Sequence, residues 1–208
     1  KEVAGSTDWI EAGTPLIKAC GMDAVRILKK EFPNKKIVAD LKIADTGDIE
    51  TEMAAKAGAD IVTVLAAADE QTTIHAIEAG KNFGCEVLVD LLNVEDLEGA
   101  AKRAEELGAD YVMVHIGIDQ QMIGKDVFSS LKRVAGSVKI PIAVAGGLTV
   151  ENAAKAISGG AQILVVGGAI TKSANAAKTA ADFKKAFKSA KKPGVKKTKT
   201  IEELVLQV

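Results

Sequence analysis

Aromatic side chains are scarce in this sequence, at 3% of 208 residues, with one Trp and one Tyr. A core must therefore be built from Ala, Val, Ile and Leu, and such aliphatic packing suits a parallel sheet covered by helices. Two cysteines, Cys20 and Cys85, provide neither a disulfide framework nor a metal-ligand spacing, and read as reduced thiols in a reducing compartment. A large excess of one charge is missing too. The formal net charge of −1 offers no basic face to a nucleic acid. No apolar run approaches the roughly 18 to 20 residues that cross a bilayer, and no charged-then-apolar leader opens the chain. A cytoplasmic protein without a membrane or nucleic-acid partner is the expectation. The rest of the composition, 48% apolar and 26% charged, is ordinary for a globular protein with one substantial core.

A short theme repeats along the chain: a helical segment, a Gly turn, then a strand rich in Val and Ile. The strands read DWIE at 8–11, IVADL at 37–41, DIVTVL at 60–65, EVLVDL at 86–91, YVMVHI at 111–116, IAVA at 142–145 and QILVV at 162–166. Gly58, Gly84, Gly108 and the pair Gly159-Gly160 precede four of them, in the place where a helix ends in a left-handed turn. Between strands lie amphipathic helices; residues 95–107 put Leu97, Ala100, Ala101, Ala104 and Leu107 on one face.

Apolar strands alternating with helices mean βαβ units and parallel pairing. An open doubly wound sheet and a closed (β/α)8 TIM-type barrel compete, and strand count favours the barrel. Seven strands are visible, and 204–208 (LVLQV) is a strand with no place among them. Residues 1–5 look like the end of a helix that has lost its preceding strand. The expected division is a barrel domain over 1–187 followed by a Lys-rich linker and strand-like tail over 188–208.

In a barrel the C-terminal ends of the strands face the active site. Here they carry Glu11, then Asp40 and Lys42 with Asp45 in the loop beyond, then Asp90 and Asn93, then His115. Gly146-Gly147 and Gly167-Gly168 follow at the ends of the last two visible strands. Polar groups ending apolar strands are costly to bury without partners, so their convergence on one mouth marks a site. Asp40 and Lys42, two apart on a strand, point the same way, and a Lys between carboxylates stabilises developing negative charge. The plain alternative is a structural ion pair. Glu11 ends the neighbouring strand, and two carboxylates with one ammonium suggest a hard divalent cation, magnesium before others. The alternative is a Glu11–Lys42 salt bridge without metal. His115, after four apolar residues, has the position of an acid/base group, whereas His75 lies within a helical stretch and faces solvent. The glycine pairs expose backbone N–H groups suited to a phosphate, with Thr171, Lys172 and Ser173 as further donors; simple tight turning is the competing explanation.

These residues together resemble the orotidine 5′-monophosphate decarboxylase suprafamily, and within it the 3-hexulose-6-phosphate synthase family. The likeness runs from residue 1 to about 187. It is carried by IEAGTPLI at 10–17, VADLK at 38–42, Asp45-x-Gly47, HIGID at 115–119, AVAGG at 143–147 and VGGAI at 166–170. It implies an aldol reaction of formaldehyde with D-ribulose 5-phosphate, giving D-arabino-hex-3-ulose 6-phosphate through a 1,2-enediolate. By that likeness Glu11 and Asp40 hold magnesium, Lys42 assists the charge, His115 transfers the proton at C1 and the glycine pairs bind the phosphate. Asp45 is then expected to enter the neighbouring subunit's site in a homodimer.

Three other readings stand beside it. The nearest is 3-keto-L-gulonate 6-phosphate decarboxylase, which the likeness places close but which carries an Arg where Ile118 stands. The second is an inactive phosphate-binding barrel within a fusion protein. The third, a phosphate-binding barrel of amino-acid biosynthesis, leaves the Asp40-Lys42-Asp45 cluster without a reason. The family opens on a strand reading roughly Leu-Gln-Val-Ala-Leu-Asp. This chain has no such N-terminal segment, and Leu206-Gln207-Val208 reproduces that strand's opening. The tail then either fills the strand-one slot, belongs to a fragment, or leads into a further domain.

Overall fold

Gly58, Gly84 and Gly108 each follow a helix with φ of 102°, 73° and 96°. Only a residue without a Cβ takes up this conformation at no cost, and each glycine leads within three residues into a strand. The computed structural model describes residues 1–124, 126–190, 194 and 201–208. Its strands are β1 (Trp9–Ala12), β2 (Lys36–Ile43), β3 (Ile61–Leu65), β4 (Glu86–Asp90), β5 (Tyr111–His115), β6 (Ile142–Ala145), β7 (Ile163–Val166) and β8 (Glu203–Gln207). They pair in chain order, all parallel, and β8 lies between β7 and β1 to close the barrel. The (β/α)8 barrel expected from the strand rhythm is the fold.

Around the strands lie α1 (Thr14–Cys20), α2 (Asp23–Glu31), α3 (Gly47–Ala57), α4 (Glu70–Phe83) and α5 (Leu97–Leu107). The ring continues with α6 (Ile118–Met122), α7 (Phe128–Ala135), α8 (Val150–Ser158), α9 (Gly168–Thr171) and α10 (Ala176–Ser189). Alternation along each strand creates two cores. One residue of each pair faces the helices, as Ile37, Val62, Val87, Val112 and Leu164 do. The next faces the barrel axis, where Trp9, Val38, Ile61, Leu88, Met113, Ile163 and Val205 pack together. With so few aromatic rings, Ala supplies close helix approaches instead. Gly47 opens α3 so near α4 that a Cβ there would stand 2.1 Å from the carbonyl oxygen of Thr72.

The tail strand is tied in at both ends. The Asp8 N–H donates to the Leu204 carbonyl at 2.9 Å, and the Leu204 N–H donates to Asp8 Oδ2 at 2.8 Å. At the other end the Val208 N–H donates to the Glu11 carbonyl at 3.0 Å, and the Gly13 N–H to the Val208 carbonyl at 2.9 Å. The tail strand fills the slot between β7 and β1, as the first of the arrangements open for it required. The linker expected ahead of it falls largely on 191–193 and 195–200, outside the described residues. Residues 1–7 form turns, with Ala4 and Ser6 bonding back three residues. No helix among the described residues is long and apolar enough to cross a membrane.

Candidate functional site

The same alternation that fills the barrel with Val and Ile turns polar at the C-terminal ends of the strands. Two positions beyond Trp9, Val38, Ile61, Leu88, Met113 and Val205 stand Glu11, Asp40, Thr63, Asp90, His115 and Gln207, one layer across the mouth. Glu11 is 2% exposed and Asp90 0%. Buried charge at this density is sustainable only where each group has a partner.

Asp40 is the hub. Its Oδ2 accepts from Thr14 Oγ1 at 2.8 Å and from Lys42 Nζ, and its Oδ1 accepts from Thr63 Oγ1 at 3.0 Å. Burial pushes this carboxyl upward, but Lys42, Thr14 and Thr63 outweigh it and hold Asp40 below its ordinary value. For Glu11 the balance goes the other way. Burial raises it well above the usual carboxylate range and the Asp40 charge adds to this, against the opposing pull of Lys42 and Gln207.

Lys42 reaches Asp40 through a distorted backbone. Pairing of β2 with β3 shifts register between Ala39 and Ile43, and Lys42 has φ of 50°. A bulge re-aims a side chain at a strand end, and left-handed backbone on a non-glycine residue stores strain that its surroundings must hold. The Lys42 N–H donates to Thr63 Oγ1 at 2.9 Å, which pins the bulge to the next strand. Simple period-two geometry put Lys42 beside Asp40; the contact is made with the bulge in place.

His115 ends β5 with Nδ1 2.8 Å from Asp90 Oδ2. A carboxylate oxygen accepts, so Nδ1 carries the proton of this bond, and in the neutral ring Nε2 is then the acceptor. Asp90 Oδ2 also lies 3.9 Å from Lys42 Nζ, and Asp90 Oδ1 accepts from the Leu92 N–H at 3.0 Å. One buried carboxylate thus joins the imidazole to the Asp40–Lys42 pair. His115 also borders a cavity of 420 Å³ shared with Asn93, Ile116, Gln120 and Asp126; Glu11, Asp40 and Lys42 do not line it. Asn93 takes φ of 61° and accepts from Gln120 Nε2 at 3.1 Å.

At Gly146 (φ 104°) a Cβ would meet the Ile116 carbonyl oxygen at 2.1 Å, and Gly147 has φ of 66°. Side chains are excluded there on two grounds. At Gly167 a Cβ would stand 2.9 Å from Gln207 Oε1, and Gly168 opens α9. Thr171 and Ser173, expected as donors to an anion, are engaged internally: Thr171 Oγ1 donates to the Gly167 carbonyl at 3.3 Å, and Ser173 Oγ lies 2.8 Å from Thr179 Oγ1. Lys172 is exposed, and so is His75.

Among the described residues Asp45 shares no hydrogen bond or ion pair with these groups. It is exposed, and its Oδ1 accepts from the Thr46 N–H at 2.8 Å ahead of α3. Sequence reasoning missed Thr14, Thr63 and Gln207. A Thr inside the otherwise aliphatic β3 and a Thr right after Gly13 were the available signals; for Gln207 only its placement beside Glu11 reveals it.

No group of three His, Cys, Asp or Glu side chains among the described residues stands ready as a complete metal cage. Magnesium needs less, since one or two carboxylates with substrate and water oxygens suffice. Asp40 has three donors on a group with about four acceptor sites, and its charge is felt at the Glu11 carboxyl, which it helps to raise. The donor set fits a hard cation.

Known proteins are similar to this chain over most of its length. A profile described as the orotidine 5′-phosphate decarboxylase / HUMPS family matches residues 1–183. A 3-hexulose-6-phosphate synthase of Bacillus subtilis (strain 168) is 42% identical over 185 residues, 88% of this chain and 88% of that protein. One of Mycobacterium gastri is 38% identical over 89% of this chain and 90% of that protein. A crystal structure of 3-hexulose-6-phosphate synthase from Salmonella typhimurium superposes with a TM-score of 0.88 at 36% identity, covering 91% of this chain and 90% of that one. A crystal structure of KGPDC from Streptococcus mutans gives 0.78 at 28% identity, covering 90% of this chain and 88% of that one.

Proposed function

The chain belongs to the orotidine 5′-phosphate decarboxylase / HUMPS family, and from that membership and the barrel mouth we propose that it joins formaldehyde to D-ribulose 5-phosphate. The product is D-arabino-hex-3-ulose 6-phosphate and the enzyme is an aldehyde-lyase, as its relatives at 42% and 38% identity are. The observation that carries this reading is the meeting of two pairs: Asp40 with Lys42, and His115 with Asp90, joined through Asp90 Oδ2.

Magnesium held by Glu11 and Asp40 would supply positive charge beside the substrate's oxygens. The remaining work falls to the chain's own groups. His115 Nε2 takes the proton from C1, and Asp90 holds the ring in the tautomer that leaves Nε2 free. Negative charge that develops on the substrate faces the Lys42 ammonium. C1 then attacks the carbonyl carbon of formaldehyde, a carbon–carbon bond forms, and the former aldehyde oxygen takes the proton back from the imidazolium. Gly146-Gly147 and Gly167-Gly168 present backbone donors to the phosphate. The decarboxylase reading is weaker because Ile118, where the family likeness puts that enzyme's Arg, is an apolar side chain 76% exposed.

Proton exchange at C1 of ribulose 5-phosphate, followed by NMR in deuterated water, tests the chemistry apart from the aldehyde. Exchange that requires magnesium and is lost in His115→Ala is expected; a chain that binds the sugar phosphate without exchange is a binding module instead.

A further inference from the structure

Gln207, at the end of the closing strand, lies opposite Glu11 in the β8–β1 register. Both belong to the inward set, each two positions beyond a residue of the inner core, Val205 and Trp9. Gln207 Nε2 donates to Glu11 Oε1 at 2.6 Å. Among the described residues no hydrogen bond to Glu11 Oε2 accompanies it. The rest of the side chain is wedged between glycines: a Cβ on Gly13 would meet Gln207 Cγ at 3.4 Å, and one on Gly167 would meet Gln207 Oε1 at 2.9 Å. The amide therefore spans the gap between the carboxylate pair and the glycine turn after β7.

A carboxylate with one oxygen fixed has its second oxygen aimed. An amide donor does this without bringing a positive charge, so it orients Glu11 without competing for the place of a cation, as a Lys would. Thr14 and Thr63 do the corresponding work for Asp40. We infer that Gln207 is a positioning residue that fixes Glu11 Oε1 and thereby aims Glu11 at a divalent cation shared with Asp40. The inference rests on the reading that Glu11 and Asp40 hold such a cation. It makes the tail strand part of the site as well as of the wall.

Manganese binding to the whole chain, measured by electron paramagnetic resonance without substrate, tests it directly. Gln207→Met keeps the length and removes the donor. It is expected to fold, with a melting point close to that of the unmodified chain, and to weaken manganese binding roughly 10- to 100-fold. Turnover at limiting metal should fall with it and recover as the metal concentration is raised. Should Gln207→Met not fold, Gln207→Asn, which retracts the amide by one carbon, is expected to show the same loss. Manganese affinity equal to that of the unmodified chain in a folded variant overturns the inference while leaving the cation reading intact. An unmodified chain that binds no manganese, or binds it no better than Asp40→Asn, overturns both.

Discussion

Asp90 has no exposed surface, yet it is shared between an imidazole and an ammonium. That geometry gives it a job: to hold His115 by Nδ1. Asp90→Asn keeps the shape but offers an amide that can turn either end to the ring, so the tautomer is no longer fixed. The expected result is a loss in kcat of roughly 10²-fold or more with KM little changed, read from steady-state kinetics with ribulose 5-phosphate. A raised KM with kcat intact would assign Asp90 to substrate binding instead. At this scale the sequence was partly legible. Glu11, Asp40, Lys42, Asp90 and His115 stand out because each breaks an apolar strand at its end. Thr14 and Thr63 do not, since a Thr is unremarked in a strand or at a helix start until a carboxylate is found beside it. The bulge at Lys42 has no signal either, since nothing in Val-Ala-Asp-Leu-Lys-Ile requires a positive φ.

Among the elements, β8 has the least conventional place, because its strand follows the helices of the whole barrel. Its Glu203 lies near Asp8, Lys184 and Lys36, and burial first, then the Asp8 charge, raises its carboxyl to about 7. The neighbouring ion pair of Lys184 with Asp8 ties α10 to the start of β1. A carboxyl raised in the folded state binds its proton more tightly there than in the unfolded chain. Its contribution to stability is therefore full below the ordinary value of 4.5 and lost as pH rises through about 7. Calorimetric melting points, measured without divalent cation, should fall between about pH 5 and pH 8, and Glu203→Gln should flatten that fall. A profile unchanged by the substitution would mean that Glu203 does not titrate in this window. Element types were readable from the Val/Ile runs and the glycine turns that precede them. The pairing partner of 204–208 was not, because a five-residue apolar strand has the same pattern whether it closes this barrel or leads elsewhere.

At the scale of the whole molecule, Asp45 directs attention to a partner. It is exposed and bonds only to the Thr46 N–H among the described residues, and one turn on, Ile49 (60%) and Met53 (43%) expose apolar side chains on α3. We propose that this face meets a second copy, with Asp45 completing the neighbour's site. Asp45→Ala and Asp40→Asn are each expected to be nearly inactive alone. Mixed after unfolding and refolding together, they should recover up to about a quarter of the activity, since half the dimers are mixed and one site in each is intact. No recovery, in a protein that sediments as a dimer, would confine Asp45 to its own chain. The barrel itself was legible from strand count; a surface that works only in a pair leaves no periodic mark on one sequence.

The central claim is tested most directly by following formaldehyde with ribulose 5-phosphate, with and without magnesium, beside Asp40→Asn. The account predicts consumption that needs the metal, yields a six-carbon ketose phosphate and disappears in the variant. Formaldehyde left untouched by a folded protein, or consumed equally by Asp40→Asn, would contradict it.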